Sequence, residues 1–270
     1  MALYAAIASS WVLFWKVMTI LSTTDITFSN IYQIIGLVFI TFNFYSAQFA
    51  VAHEIMHKPG VFYRVLATLH MTKAYYPHFT YHHLYCHHQQ VATPEDPSTS
   101  LSGETVYQFI PRCVKDSWVN MYRMEKELGK SFYRNWAVLS IVGSSAFALF
   151  VYLQFGLQAV IIHSIMAFLC IAYVEGINYI EHYGLMRKKL PNGQYEKTTI
   201  LHSWNAPHRF TNYLFFKLQR HSDHHENSTK PYQTLVSLDK SPFLPHGYTL
   251  MILMSFFPKV DIVLFRCGSK

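Results

Sequence analysis

Four apolar stretches constrain the fold of this 270-residue chain more than any other feature. They cover residues 2–21, 31–52, 136–155 and 157–178, and the second contains no Asp, Glu, Lys or Arg. Each has the roughly 20 residues that a helix needs to cross a bilayer. A helix also satisfies its backbone hydrogen bonds within one segment, as lipid requires. The sequence therefore predicts an all-α integral membrane protein with four transmembrane helices.

Short connections join these helices in pairs, so we expect two helical hairpins within a single membrane domain, residues 1–270. Two further apolar segments, 61–76 and 248–257, are unsuited to spanning. The first carries Arg64, His70 and Lys73, and the second is short and is ended by Pro258. We expect both segments to lie in the membrane interface or to re-enter it.

The cationic residues indicate the orientation of the chain. Six lie between residues 112 and 134, and four lie between 187 and 197, whereas the loops 22–30 and 154–156 have no Lys or Arg. Positive loops stay on the cytoplasmic side, so both termini should lie on that side or its matrix equivalent. A bacterial inner membrane, the endoplasmic reticulum and the mitochondrial inner membrane all remain open. We interpret the net charge of +7 as cations that set the membrane topology and contact lipid headgroups, and not as a nucleic-acid binding surface.

Histidine is abundant, with 16 residues, while only 14% of the chain is charged. Nine histidines form four short clusters in the two regions 53–135 and 179–247, and all four clusters leave the predicted spans on the cationic side. The four clusters are His53 with His57, then His83 with His87 and His88, then His182, then His221 with His224 and His225.

The spacing of the histidines is typical of metal binding. Residues four apart share one face of a helix, about 6 Å apart, so one ion can bind both. Nine ligands are more than one metal ion can coordinate, but they suit two ions. Imidazole binds Fe, Zn, Cu and Ni, and this number of ligands favours octahedral-leaning ions over tetrahedral zinc. The sequence His53-Glu54-Ile55-Met56-His57 also matches the zinc-protease pattern HExxH, which needs a soluble cleft and not three further histidine clusters.

Carboxylates beside the histidines are candidates to orient the ligand rings, because a ligating imidazole usually donates its other N–H to an acceptor. Glu54, Glu181 and Asp223 lie next to candidate ligands. Each also fits an ordinary role as a helix cap or surface charge. Further candidates for this role, taken together, are Glu95, Asp96 and His202.

Other notable side chains are interpreted as structural. His163 lies in the middle of a predicted span, where we expect a neutral ring hydrogen-bonded to another helix. We interpret His70 and His246 as interfacial. No pair of cysteines has CxxC spacing, so free thiols are expected at Cys86, Cys113, Cys170 and Cys267.

The histidine clusters and the motifs that accompany them resemble the membrane-bound non-heme di-iron alkane hydroxylases, which are related to the integral membrane fatty acid desaturases. The resemblance covers roughly residues 50–258. Its motifs are His53–Lys58, Val91–Pro97, Asn178–Gly184, Leu190–Gly193, His202–Asn205, Leu218–His225, Tyr232–Leu235 and Leu244–Tyr248.

This resemblance implies a monooxygenase in which the nine clustered histidines bind two iron ions. One atom of O₂ would enter a C–H bond of an alkyl or fatty-acyl chain, with electrons from a rubredoxin or a comparable small electron-transfer protein. The apolar substrate would enter from the lipid bilayer. A desaturase on the same scaffold stays open, because the spacing does not separate the two reactions.

The second cluster departs from the usual pattern of the family. An acidic residue is replaced by His82, and the usual Asn-Arg-Gly by Leu84-Tyr85-Cys86. Members of the family also commonly have two more spans before the first pair seen here, so we expect that another membrane subunit closes the bundle or that the substrate differs. A third interpretation is therefore a catalytically silent subunit of a larger membrane complex.

Overall fold

The structure is a computed structural model, and it describes residues 2–257 of the chain. Pro258 and Cys267 lie outside the described residues. Between residues 2 and 257 the fold is helical and has no β-strand, only two isolated bridges. The α-helices are α1 Ala2–Thr23, α2 Ile31–Met56, α3 Val61–Thr72, α4 His78–His82, α5 His88–Gln90, α6 Val106–Glu127, α7 Trp136–His182, α8 Arg209–Leu214, α9 His221–Glu226 and α10 Tyr248–Ser255.

Three of the described helices, α1, α2 and α7, are long and apolar enough to cross a membrane. The predictions of an all-α fold and of an integral membrane protein are thus confirmed at this level. Helix α7 has 47 residues, but Gly156 has φ 82° and ψ 178°, so two helical segments meet there. Glycine suits this position because residues with a Cβ rarely adopt positive φ. The break falls in the predicted loop 154–156.

The chain divides into two compact units. The first contains residues 2–80 and 125–172, and the second contains residues 81–124 and 173–257.

In the first unit, α3 folds back beside α2. Residues 57–60 turn the chain back on itself, and α3 then packs against α2. Lys73 at the end of α3 contacts Ser10 in the middle of α1 and the ring of Tyr45 in the middle of α2. The segment therefore reaches the middle of the long helices. His70 is buried, with 4% of its surface exposed, so it lies in the protein interior and not at an exposed interface.

Aromatic rings fill the interior of the first unit around His163. This ring packs edge-on against Phe14, at 5.5 Å between centroids, and its Nδ1 atom lies 2.9 Å from the hydroxyl of Tyr75. Tyr75 is in the turn after α3 and not on a neighbouring long helix. The expected hydrogen bond of a mid-span histidine is therefore made, but by the turn after α3.

The second unit has its own apolar core. Helix α6 contributes Phe109, the end of α7 contributes Tyr179 and Ile180, and α10 contributes Tyr248 and Met251. All five are fully buried. The segment that was expected at the interface, 248–257, therefore forms a short helix ending at Ser255 that packs into this core.

Candidate metal centre

The second histidine cluster lies on a π-helical turn, His83–His87, between two α-helical pieces. A π-helix pairs residues i and i+5 along the chain, and such turns are frequent at functional sites. The Nε2 atoms of His83 and His88 are accordingly 2.9 Å apart. Sequence reasoning predicted that His83 and His87 pair across an α-helical turn, but the π-turn brings the ligand atom of His83 to that of His88 instead.

One set of ligand atoms in the second unit joins the second and fourth clusters. The Nε2 atoms of His88 and His224 are 3.3 Å apart, and one ring nitrogen from each of His83, His88 and His224 lies within 4.8 Å of the others. His83 and His224 are buried, and His88 is half-buried.

A second set in the same unit is entirely buried and draws on three clusters. One ring nitrogen from each of four histidines lies within 4.8 Å of the others. The Nε2 atom of His221 is 3.2 Å from that of His182 and 3.0 Å from that of His225. The fourth member is His87. The π-turn therefore places His87 in the fully buried set and His83 with His88 in the other set.

Helix α9 divides its histidines in the same way. His221 and His225 are four residues apart, share a face and belong to the fully buried set. His224 points to the other set. One short helix thus supplies ligand atoms to two separate groups, which fits two ions better than one.

The chemistry of both sets fits a bound cation. A neutral imidazole carries a lone pair on one nitrogen, and several lone pairs directed at one point repel unless a cation lies between them. The Nε2 atom of His87 is buried and has no hydrogen-bond partner among residues 2–257. Burial lowers the pKa of His224 to about 3, so this ring is neutral, as a metal ligand must be.

Asp96 orients His87 from the opposite side of the ring. Its Oδ2 atom is 2.9 Å from Nδ1 of His87 and accepts a 2.7 Å hydrogen bond from Oγ1 of Thr99, while the amide of Ser98 donates to Oδ1. Burial raises the pKa of Asp96, but His87 and Thr99 outweigh this effect and lower it to about 2. Asp96 is therefore ionised and holds Nε2 of His87 towards the ligand set.

Two of the carboxylates predicted beside ligands, Glu181 and Asp223, lie in different environments. Glu181 is 1% exposed, and its Oε2 atom is 3.2 Å from Nε2 of His221, inside the buried set. Asp223 instead accepts hydrogen bonds from Nζ of Lys230 at 2.7 Å and from the amide of Val236 at 2.8 Å. Asp223 therefore ties α9 to the following loop.

The first cluster lies in the first unit, at the end of α2. His53 is buried and His57 is half-buried, and their ring centroids are 4.8 Å apart. This is the predicted spacing of i and i+4 on one helical face. Glu54, between them, is half-buried.

Of the remaining candidates, Glu95 is exposed and His202 is buried. Glu95 is 3.3 Å from the hydroxyl of Tyr195, and His202 is 3.4 Å from the carboxylate of Glu196. Sequence reasoning missed Thr99, which supports Asp96. The signal was present in Asp96-Pro97-Ser98-Thr99, where an aspartate two or three residues before a polar group favours a side-chain turn.

Comparison with known proteins decides the family. The model of the fatty acid desaturase family matches residues 29–253. The chain belongs to the fatty acid desaturase family. This confirms the resemblance seen in the histidine motifs, since the match includes all nine clustered histidines.

Within the fatty acid desaturase family, the chain is similar to bacterial alkane monooxygenases. It is 40% identical to alkane 1-monooxygenase of Acinetobacter baylyi, over 77% of this chain and 52% of that protein. It is also 40% identical to alkane 1-monooxygenase 2 of Pseudomonas aeruginosa, over 77% of this chain and 57% of that protein. It is 26% identical to the xylene/toluene monooxygenase hydroxylase component XylM of Pseudomonas putida, over 75% of this chain and 55% of that protein. The chain spans about half the length of these curated relatives.

Proposed function

We propose that this member of the fatty acid desaturase family is a monooxygenase that hydroxylates an alkyl or fatty-acyl chain at two histidine-bound iron ions. The observation that carries the proposal is the division of the second-unit histidines into two sets of converging nitrogens. The similarity to alkane 1-monooxygenases supports the reaction.

The proposed ligands are all nine clustered histidines. Those of the second unit fit metal ions by geometry, and His53 with His57 fits by its shared helical face. A nitrogen-rich set of this size favours iron over four-coordinate zinc. Bound iron would supply the activation of O₂, with one oxygen atom entering the substrate and the other leaving as water at the expense of two electrons and two protons.

The residues around the ligands hold the site in place and keep it dry. Asp96 fixes the ring of His87, with Thr99 holding the carboxylate. Glu181 contributes a buried carboxyl group beside His221, where it can hold or release a proton. All four histidines of this set are buried, which excludes bulk water from the reacting centre.

We also propose that the protein crosses the membrane four times, because the break at Gly156 lets the 47 residues of α7 cross twice. At 1.5 Å per residue this segment is about 70 Å long, more than twice the roughly 30 Å apolar core of a bilayer. The histidines and both termini then lie on the cytoplasmic or equivalent side. There a rubredoxin-like donor reaches them, while the substrate arrives through the lipid.

The test is purified protein assayed for metal and for product. Elemental analysis should give close to two irons per chain. With ¹⁸O₂ and a chemical or protein reductant, mass spectrometry should find one labelled oxygen in the product of an alkyl substrate. An active sample that contains only zinc would contradict the proposal.

Desaturation is the second candidate, favoured by the family that the chain matches. It gives a product two hydrogens lighter and without label, so the same experiment separates the two reactions. A silent subunit is the third, favoured by Leu84-Tyr85-Cys86 in the second cluster. In that case the chain purifies within a larger assembly, and His53→Ala leaves the activity of that assembly unchanged.

A further inference from the structure

A buried lysine amino group lies inside the first unit. Lys73 is 3% exposed. Its Nζ atom contacts Oγ of Ser10 and lies 5.0 Å from the ring centroid of Trp11 and 4.8 Å from that of Tyr45. Two aromatic faces and one hydroxyl thus enclose the amino group.

The position of this group along the helices places it deep in the membrane. Thr23 at the end of α1 and Ile31 at the start of α2 lie on the same side, because only seven residues join them. Ser10 is 13 residues from Thr23 and Tyr45 is 14 from Ile31, so at 1.5 Å per residue both lie about 20 Å from that side. The two helices therefore agree on a depth within the roughly 30 Å apolar core.

Lys73 has no carboxylate within ion-pair distance among residues 2–257. An ammonium has three N–H donors, and the hydroxyl of Ser10 is its one hydrogen-bond partner in the described part of the chain. A charged side chain at this depth is costly unless it is paired, so an unpaired one indicates a functional site.

Two neighbouring polar groups lack a hydrogen-bond partner in the described part of the chain. The hydroxyl of Tyr45 and Nδ1 of His70 are buried and make no hydrogen bond to any described residue. Tyr45 and His70 are each 4% exposed. His70 precedes Lys73 by three residues, so the two side chains lie on the same face at the end of α3. Ammonium, phenol and imidazole can all donate hydrogen bonds, so the cluster is rich in donors and lacks an anionic acceptor.

We propose that Lys73, Tyr45 and His70 form an anion site that binds the carboxylate of a free fatty acid. The inference rests on the proposed hydroxylase function and names its substrate class. A carboxylate has two oxygens that accept several hydrogen bonds and neutralises the buried ammonium. A phospholipid phosphate stays at the membrane surface and does not reach this depth.

The position of the site also sets the length of the chain that it would hold. His53 follows Tyr45 by eight residues on α2, which is about 12 Å along the helix axis. An extended carbon chain advances about 1.2 Å per bond, one third of the rise of an extended residue. About ten bonds therefore separate a carboxylate at Lys73 from the level of His53. A saturated acid of about twelve carbons would reach the level of His53 with its methyl end.

The test compares two ligands of equal length, dodecanoate and methyl dodecanoate, binding to the purified full chain in nanodiscs. Isothermal titration measures both affinities without O₂ or reductant. Wild-type protein should bind dodecanoate at least tenfold more tightly than the ester. Lys73→Met should remove that preference. Tyr45→Phe, which deletes one hydroxyl, should reduce it severalfold and serves if Lys73→Met does not fold.

Lys16→Met is the matched control, because Lys16 is an exposed lysine on α1, and it should keep the full preference. Equal affinity for acid and ester in wild type, or a preference that survives in both Lys73→Met and Tyr45→Phe, overturns the carboxylate site. Because binding is measured without turnover, the two proposals fail separately. Iron-dependent oxidation without the preference refutes only the anion site, and the preference without oxidation refutes only the hydroxylase.

Discussion

The Nδ1 atom of His87 lies 2.9 Å from Oδ2 of Asp96, and both side chains are buried. This contact fixes one nitrogen of the ring and leaves Nε2 to face the other three histidines of the buried set. Under the proposed function, Asp96 acts on the metal through His87 without being a ligand itself.

Asp96→Asn should lower iron affinity or activity by about 10- to 100-fold, because the ring of His87 loses its ionised acceptor. Iron titration of the metal-free protein and product formation measure the effect. Glu95→Gln changes the neighbouring acid, whose contact is with Tyr195, and should behave as wild type. Equal iron affinity in Asp96→Asn and wild type would refute the role of Asp96.

The two ligand sets predict separable metal losses. His88→Ala removes a member of the first set and His225→Ala a member of the fully buried set, so each variant should fall from about two irons per chain to about one. Elemental analysis of purified variants gives the count. His246→Ala should retain both ions, since His246 belongs to neither set. Two irons in both ligand variants would contradict the division.

The metal-free protein should lose stability as the pH falls from about 6.5 to 4. Burial lowers the pKa of His82 to about 4 and of His224 to about 3. Between those values and the unfolded value near 6.5, the unfolded chain binds more protons, so acid favours unfolding. Each such histidine costs up to about 1.4 kcal/mol per pH unit. Thermal midpoints at pH 7.5, 6.5 and 5.5 test this, and a flat profile would contradict it.

Gly156→Ala should destabilise the chain by about 1 kcal/mol or more, because alanine at φ 82° is strained. Gly143→Ala is the matched control, on the same long segment with no atom within 4 Å of the added carbon. It should be neutral or stabilising, since alanine favours a helix. Denaturant midpoints compare the two, and an equal response in both variants would argue against a fixed break at Gly156.

The sequence was sufficient for features that depend on local pattern. Long apolar stretches predicted α1, α2 and α7, and helical spacing predicted the pair of His53 with His57. Helix α6 was not predicted, because Val106–Glu127 is amphipathic and mixes charged with apolar residues. Its buried face becomes recognisable only once Phe109 meets Tyr179, 70 residues later.

The sequence also did not predict contacts between residues that are far apart along the chain. The spacing of His83, His87 and His88 is compatible with both a π-turn and an α-turn. The kind of turn decides which ring joins which ligand set. The burial of Lys73 against Ser10 likewise depends on tertiary packing that brings residues 63 positions apart together.

The π-turn at His83–His87 makes the number of residues in this stretch as important as their identity. A turn of this kind holds one residue more than an α-turn, and each residue rotates an α-helix by about 100°. Deleting a single position such as Tyr85 would leave every histidine present yet rotate those that follow away from His83. Insertions and deletions here should therefore be as damaging as the loss of a histidine, and a related sequence with all nine histidines but a different loop length should not be assumed to bind metal.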